Sequence, residues 1–212
     1  PHHDSPLTFV DFDEQAVARV PAHLSDEEAA TLPCAALTAC SALVTDGDVK
    51  PGDAVLIQGT GGVSLFALQF AKLLGARAIV LSSSDEKLER ARALGADAGI
   101  NYKFQPDWSG SVRAAAGGDG VDHIVEVGGQ KTLPLSLKVI RPGGTISMIG
   151  VLSGGVLDAR LGLVVTRYVR LQGITVGHRD GFEAMARAVE QHRLRPVIDR
   201  VFAFEEFRAA MD

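Results

Sequence analysis

A glycine-rich stretch, Gly59-Thr60-Gly61-Gly62, lies between an apolar run and an amphipathic segment. Gly59 permits a sharp turn, and Gly61, which has no Cβ, lets a phosphate group approach the backbone. The apolar run at 54–57 predicts a strand buried on both faces, and the apolar spacing over 63–74 predicts a helix. A strand, a glycine turn and a helix in this order predict that the helix N-terminus binds the pyrophosphate of a dinucleotide.

The next predicted strand, at 78–81, ends at Ser82, where a site for NAD carries an Asp or Glu that binds the ribose 2′-hydroxyl. No carboxylate stands at this strand end. Ser82 and Ser83 offer hydroxyl groups instead, and Lys87 lies one turn into the following helix. These residues favour NADP(H) over NAD(H), although the nearby carboxylate of Asp85 argues the other way.

The segments around the glycine turn alternate between strand and helix patterns. Ser83 and Glu86 match a capping box at the start of the helix after the second strand. The alternation predicts an α/β fold, a doubly wound parallel six-stranded sheet of the Rossmann type, in the order 3-2-1-4-5-6. The predicted strands are 54–57, 78–81, 99–102, 121–127, 145–149 and 171–176, and the main predicted helices are 26–45, 63–74, 84–94, 133–140 and 182–192.

Composition narrows the function classes. The chain has 212 residues and a net charge of −5, which argues against a nucleic-acid or anionic-membrane partner. No apolar run approaches the roughly 18 residues of a membrane span, and no signal-peptide pattern opens the chain. Cys34 and Cys40 are six residues apart on a predicted helix and are not expected to form a disulfide. Two free thiols are typical of a reducing cytoplasm.

Short motifs from about Phe9 to the C-terminus match one enzyme family in register. They include VPAHLS at 20–25, EEAATLP at 27–33, KPGD at 50–53, LGAD at 94–97, INY at 100–102 and RPGG at 141–144. In these motifs the chain resembles the medium-chain dehydrogenases/reductases. The INY motif and the serine-rich end of the second strand are most similar to quinone reductases and related NADPH-dependent members.

The resemblance implies further cofactor-binding positions beside Gly59, Gly61 and Gly62. Thr38 and Val63 match positions near the nicotinamide, and Tyr102 matches a position near the 2′-phosphate. The remaining implied positions follow the fourth, fifth and sixth strands: Val127 and Gly128 beside the adenosine ribose, then Ile149, Gly150 and Val151, then Thr175, Val176 and Gly177 beside the carboxamide.

Few residues of the sequence are candidates for a catalytic or metal-binding role. Cys34 matches a catalytic-zinc ligand of the family's alcohol dehydrogenases, but no second ligand has suitable spacing, so a small buried hydrophobic role is favoured and zinc is not expected. Thr38 is the one candidate catalytic residue, with helix packing as the alternative. His123 is predicted to be a core histidine and His178 a solvated loop residue. Glu126 is predicted to pair or cap locally.

The favoured function is an NADP(H)-dependent oxidoreductase without zinc. It would transfer hydride between the nicotinamide and a small-molecule carbonyl, quinone or activated alkene. A zinc-dependent alcohol dehydrogenase and a nucleotide-binding module without turnover are the alternatives.

Family resemblance divides the chain into residues 1–24, a remnant of a catalytic domain, 25–178, the Rossmann domain, and 179–212, a segment that returns toward the catalytic domain. This chain alone is expected to be inactive. The stretch from Leu171 to Val176 should form one edge of the sheet and pair with its copy in a homodimer.

Overall fold

The computed structural model describes residues 11–156 and 161–211. Its centre is one six-stranded sheet in the order β3-β2-β1-β4-β5-β6, and every neighbouring pair is parallel. The strands are β1 Ala54–Gln58, β2 Arg77–Ser82, β3 Ala98–Asn101, β4 Val121–Glu126, β5 Ile140–Met148 and β6 Arg170–Gly173. The architecture and the strand order predicted from the sequence are therefore confirmed.

Helices cover both faces of the sheet. Alternate side chains of β1 point to opposite faces, so Val55 and Ile57 join one apolar cluster while Ala54 and Leu56 join the other. This is why the whole strand is buried. The helices are α1 Asp26–Ala30, α2 Leu37–Cys40, α3 Gly62–Leu73, α4 Asp85–Ala93, α5 Ser109–Ala116, α6 Leu133–Val139, α7 Leu161–Thr166, α8 Arg179–Gln191 and α9 Phe207–Met211.

The helical region predicted at 26–45 is present but is not a uniform α-helix. Two π-helical stretches, Leu32–Ala36 and Ser41–Thr45, flank α2. A π-helix has a wider turn than an α-helix, so the side-chain directions along this region differ from those of a 3.6-residue repeat.

The start of α4 and the extent of β5 differ from the predictions. Ser84, not Ser83, caps α4, and its Oγ accepts a hydrogen bond from the N–H of Lys87 at 3.4 Å. The helix begins later because β2 continues to Ser82, whose carbonyl accepts the N–H of Tyr102. β5 begins at Ile140 and includes the RPGG motif, since Ile140 pairs with β4 before a register shift.

The region around β6 also differs from the prediction. β6 ends at Gly173 rather than at Val176, which has a positive φ of 49° that a strand does not tolerate. Between β5 and β6 the chain forms α7, Leu161–Thr166, while residues 157–160 lie outside the described residues. Among the described residues no helix combines the length and hydrophobicity that crossing a membrane requires.

Two histidines occupy contrasting places. His123 is 2% exposed in β4, and its Nε2 lies 3.0 Å from the Oγ of Ser147. Burial lowers the pKa of His123 to about 4, so its ring is neutral at pH 7 and belongs to the core, as predicted. His178 is exposed, as predicted, and it also caps α8 by accepting the N–H of Gly181 at Nδ1.

Candidate functional site

The glycine turn between β1 and α3 leaves a helix N-terminus open to the carboxyl edge of the sheet. Gly59 has a φ of 77°, which favours glycine, and Gly61 is the N-cap of α3 without a side-chain cap. A Cβ built on Gly61 meets nothing within 4 Å. The first N–H groups of α3 therefore face an open space that suits a phosphate group.

Ser64 fills the place that a third glycine takes in the usual fingerprint. Its side chain is buried, and its Oγ donates to the carbonyl of Gln58 at 2.7 Å. This hydrogen bond joins α3 to the end of β1 on the buried side of the turn, so the small polar side chain stabilises the turn without entering the open space.

The residues predicted to select the cofactor meet at the ends of β2 and β3. Ser82 is 2% exposed, and its Oγ lies 3.5 Å from the Oγ1 of Thr60 in the glycine turn. Ser83 is half-buried, and Lys87 and Tyr102 are exposed beside it. Hydroxyl and ammonium groups thus line the rim at this edge, next to the glycine turn.

Asp85, the carboxylate that argues against a 2′-phosphate, has a partner at this edge. The Nδ2 of Asn101 donates to its Oδ1 at 2.8 Å, and the Oδ1 of Asn101 accepts the N–H of Lys103 at 3.0 Å. One oxygen of the Asp85 carboxylate is therefore hydrogen-bonded within the protein.

The loops after β4 and β5 are joined to one another. The N–H and the Oγ of Ser153 both donate to the carbonyl of Gly128 at 2.7 Å. Gly150 leaves room for this contact, because a Cβ there would lie 2.4 Å from the carbonyl oxygen of Val127. The structure brings these loops together with the remaining predicted positions on them, Ile149 and Val151.

The segment predicted to bind a carboxamide packs against the helix that carries Thr38. A Cβ on Gly177 would lie 2.8 Å from the Oγ of Ser41, so only glycine fits between the two segments. Val176 beside it has a φ of 49°, a strained conformation for a β-branched residue, and Thr175 is exposed. Such strain is concentrated at ligand sites in other proteins.

Thr38 itself is buried. Its Oγ1 donates to the carbonyl of Cys34 at 2.7 Å, which is the helix-packing role that the sequence left open. Val63 is half-buried at the first turn of α3.

Cys34 is exposed, so the interpretation of its side chain as a small buried hydrophobic group was wrong. Cys34 lies within the π-helical stretch Leu32–Ala36, of which Leu32 and Ala36 are the buried residues. Cys40 is largely buried, and burial raises the pKa of its thiol to about 11. Both thiols are free, as predicted. Within 11–156 and 161–211, no three His, Cys, Asp or Glu side chains are grouped closely enough to hold a metal ion.

Two residues of this region carry more contacts than the sequence indicated. Gln58 and Glu126 end the neighbouring strands β1 and β4, and the Nε2 of Gln58 donates to the Oε2 of Glu126 at 2.6 Å. Local pairing of Glu126 was predicted, but its partner in β1 was not. A polar residue at the end of each otherwise apolar strand was the available signal.

Comparison with known sequences gives one family. Residues 62–191 match the family described as zinc-binding dehydrogenase. The chain is 46% identical over 203 residues to a zinc-type alcohol dehydrogenase-like protein of Schizosaccharomyces pombe, an alignment that covers 93% of this chain and 59% of the relative. The chain thus spans somewhat more than half the length of this relative.

Solved structures are similar to the chain over the same extent. A structure described as an NAD-dependent alcohol dehydrogenase has a TM-score of 0.85 and 37% identity, covering 92% of this chain and 57% of the other. A 2-octenoyl-CoA carboxylase reductase, CinF, in complex with NADP and 2-octenoyl-CoA has a TM-score of 0.85 and 30% identity, covering 91% of this chain and 48% of the other.

Proposed function

We propose that this chain is the cofactor-holding part of an oxidoreductase, because it belongs to the zinc-binding dehydrogenase family of medium-chain dehydrogenases/reductases. The reaction is hydride transfer between a nicotinamide cofactor and a small-molecule carbonyl, quinone or activated alkene. The observation that carries the proposal is the uncapped N-terminus of α3, lined by glycine and open where β1 ends. It lies beside β4, where the strand order reverses and where such sheets bind dinucleotides.

A bound nicotinamide would donate or accept the hydride, and this chain would hold the cofactor in position. The N–H groups at the start of α3 would bind the pyrophosphate. Backbone groups of Thr175, Val176 and Gly177 would bind the carboxamide, and the loops after β4 and β5 would lie beside the adenosine ribose.

The preferred cofactor is NADP(H). Ser82 stands at the end of β2 where a carboxylate would repel a 2′-phosphate, and the nearby carboxylate of Asp85 is engaged by Asn101. Lys87 is exposed one turn into α4 and can reach an anion at this rim. One similar structure holds NADP, and another is described as NAD-dependent. The choice therefore rests on these residues of the chain itself.

A turnover assay tests the activity. The intact polypeptide that contains this chain is mixed with NADPH and, in separate reactions, with an aldehyde, a quinone and an activated alkene, and the near-ultraviolet absorbance of NADPH is followed. Oxidation of NADPH with at least one acceptor supports the proposal. Tight NADPH binding without oxidation by any acceptor supports the module without turnover instead.

A zinc-dependent alcohol dehydrogenase is the second candidate, and the exposed thiol of Cys34 is the observation that favours it. We expect the purified chain to contain no bound zinc, because one thiolate does not make a zinc site. Elemental analysis after dialysis against a weak chelator measures this. One tightly held zinc per chain, lost in Cys34→Ala and retained in the control Cys40→Ala, contradicts the expectation and promotes the second candidate.

We also propose a homodimer formed by β6. This strand lies at one edge of the sheet, and open edges invite pairing. The N–H of Ile174 donates to the carbonyl of Met148 in β5, so it points into the sheet. By alternation along the strand, the N–H of Gly173 points outward.

Gly173→Pro is therefore expected to weaken the dimer while the β5–β6 pairing persists. Light scattering should give twice the 22.4 kDa chain mass for the wild type and a lower average mass for the variant. A Gln172→Ala control keeps the backbone donors and should remain dimeric. A wild-type monomer at tens of micromolar contradicts the proposed homodimer.

We also propose a cytoplasmic location, because the two free thiols are typical of a reducing compartment.

A further inference from the structure

The carboxylate of Glu126 is fully buried at the carboxyl end of β4 and accepts five hydrogen bonds. All five donors are neutral. Oε1 accepts from the N–H groups of Gly128 and Gly129 at 2.9 and 3.0 Å and from the Oγ1 of Thr132 at 2.5 Å. Oε2 accepts from the Nε2 of Gln58 and the Oγ of Ser136, both at 2.6 Å.

Three of the five donors lie at the carboxyl ends of β1 and β4, where the strand order reverses. Gly128 and Gly129 form the loop that follows β4, while Gln58 ends β1 and begins the glycine turn. The main-chain carbonyl of Gln58 also accepts the Oγ of Ser64 at 2.7 Å, and its Oε1 lies 3.3 Å from the N–H of Gly128. The carboxylate therefore connects the glycine turn to the loop after β4.

The chemistry of a carboxylate fixes the direction of all five hydrogen bonds. An ionised carboxylate only accepts hydrogen bonds, so each surrounding group must point a hydrogen toward it. Burying such a charge is costly unless its oxygens are fully bonded, and five donors satisfy them. In Glu126→Gln the side-chain amide would point N–H groups at some of these donors, and two facing donors cannot form a hydrogen bond.

We propose that Glu126 is a positioning residue of the dinucleotide crevice. It sets the spacing between the glycine turn after β1 and the loop after β4, at the point where the strand order reverses. The inference rests on the proposed function, because it assigns Glu126 to the cofactor site that the function requires. Glu126 does not touch the reacting atoms in this account; it acts through Gln58, Gly128 and Gly129.

The test compares Glu126→Gln with Asp122→Asn in the full chain. Asp122 is a matched control at the other end of β4. It also bonds to β1, through the N–H of Ala54 at 2.7 Å, and pairs with Arg141, but it lies away from the crevice. Hydrogen exchange at Gly128 and Gly129 reports on the connection itself, and calorimetry gives the Kd for NADPH.

Glu126→Gln should speed exchange at Gly128 and Gly129 and raise the Kd for NADPH by about tenfold or more. Asp122→Asn should leave both readouts within about twofold of the wild type, even if it lowers the melting temperature. If Glu126→Gln does not fold, Ser136→Ala removes one donor and should raise the Kd by about threefold.

An unchanged Kd in every folded variant that perturbs Glu126 overturns the positioning role, whatever happens to exchange. A wild-type chain that binds neither NADPH nor NADH contradicts the proposed function and the positioning role together. A wild type that binds a dinucleotide and a variant that binds it equally well contradict the positioning role alone.

Discussion

Gly61→Val is expected to abolish NADPH binding and to leave the fold largely intact. A Cβ at Gly61 meets no protein atom within 4 Å, so the Val side chain extends into the open space at the start of α3. The pyrophosphate needs that space and the N–H groups beside it. Calorimetry should show a rise in Kd of more than about a hundredfold.

The fold should tolerate this change because Gly61 has extended dihedral angles, φ −81° and ψ −178°, which Val adopts readily. We expect the free energy of unfolding to fall by about 1 kcal/mol, since Val is a poorer N-cap than Gly. Gly110→Val is the control: a Cβ there also meets nothing within 4 Å, but Gly110 lies in α5. Normal NADPH binding by Gly61→Val means that the phosphate site lies elsewhere.

Ser82→Asp is expected to reverse the cofactor preference from NADPH to NADH. The new carboxylate would stand at the end of β2, where it repels a 2′-phosphate and can accept a hydrogen bond from a 2′-hydroxyl. Two unit charges about 4 Å apart repel by about 4 kcal/mol at the effective dielectric constant near a protein surface. Even half of that energy lowers the affinity for NADPH by more than about tenfold.

Ser82→Asn separates charge from shape in this experiment. It has nearly the size of Asp but carries no charge, so it should keep the preference for NADPH while sharing any packing defect at this 2% exposed position. Competition between the two cofactors, measured at fixed salt concentration, gives the ratio of the two Kd values. If Ser82→Asp and Ser82→Asn change that ratio equally, electrostatic repulsion at Ser82 does not set the preference.

Local patterns in the sequence were sufficient to predict the sheet and the glycine turn. The apolar run of β1, Gly59 and the amphipathic α3 are adjacent in the chain, so their geometry follows from backbone sterics and periodicity. The strand order followed from the alternation of strands and helices, which allows few parallel topologies.

Contacts between distant segments were not accessible from these patterns. Gln58 and Glu126 are 68 residues apart, and their contact exists because β1 and β4 become neighbours when the order of strands reverses. Burial of Cys34 was predicted from the general tendency of free cysteines to be buried, which gives no information about the segments that pack around one particular side chain. The positive φ of Val176 excludes this residue from β6, and a β-branched residue type gives no indication of such a conformation.

Calorimetric titration of the wild-type chain with NADPH and with NADH at one salt concentration is the most direct test of dinucleotide binding. We expect one binding site and a lower Kd for NADPH than for NADH, since Ser82 places no carboxylate at the end of β2 and Lys87 is exposed at the same rim. Equal affinities or tighter NADH binding contradict the NADP(H) assignment. Binding of neither cofactor contradicts the central claim that this chain holds a dinucleotide.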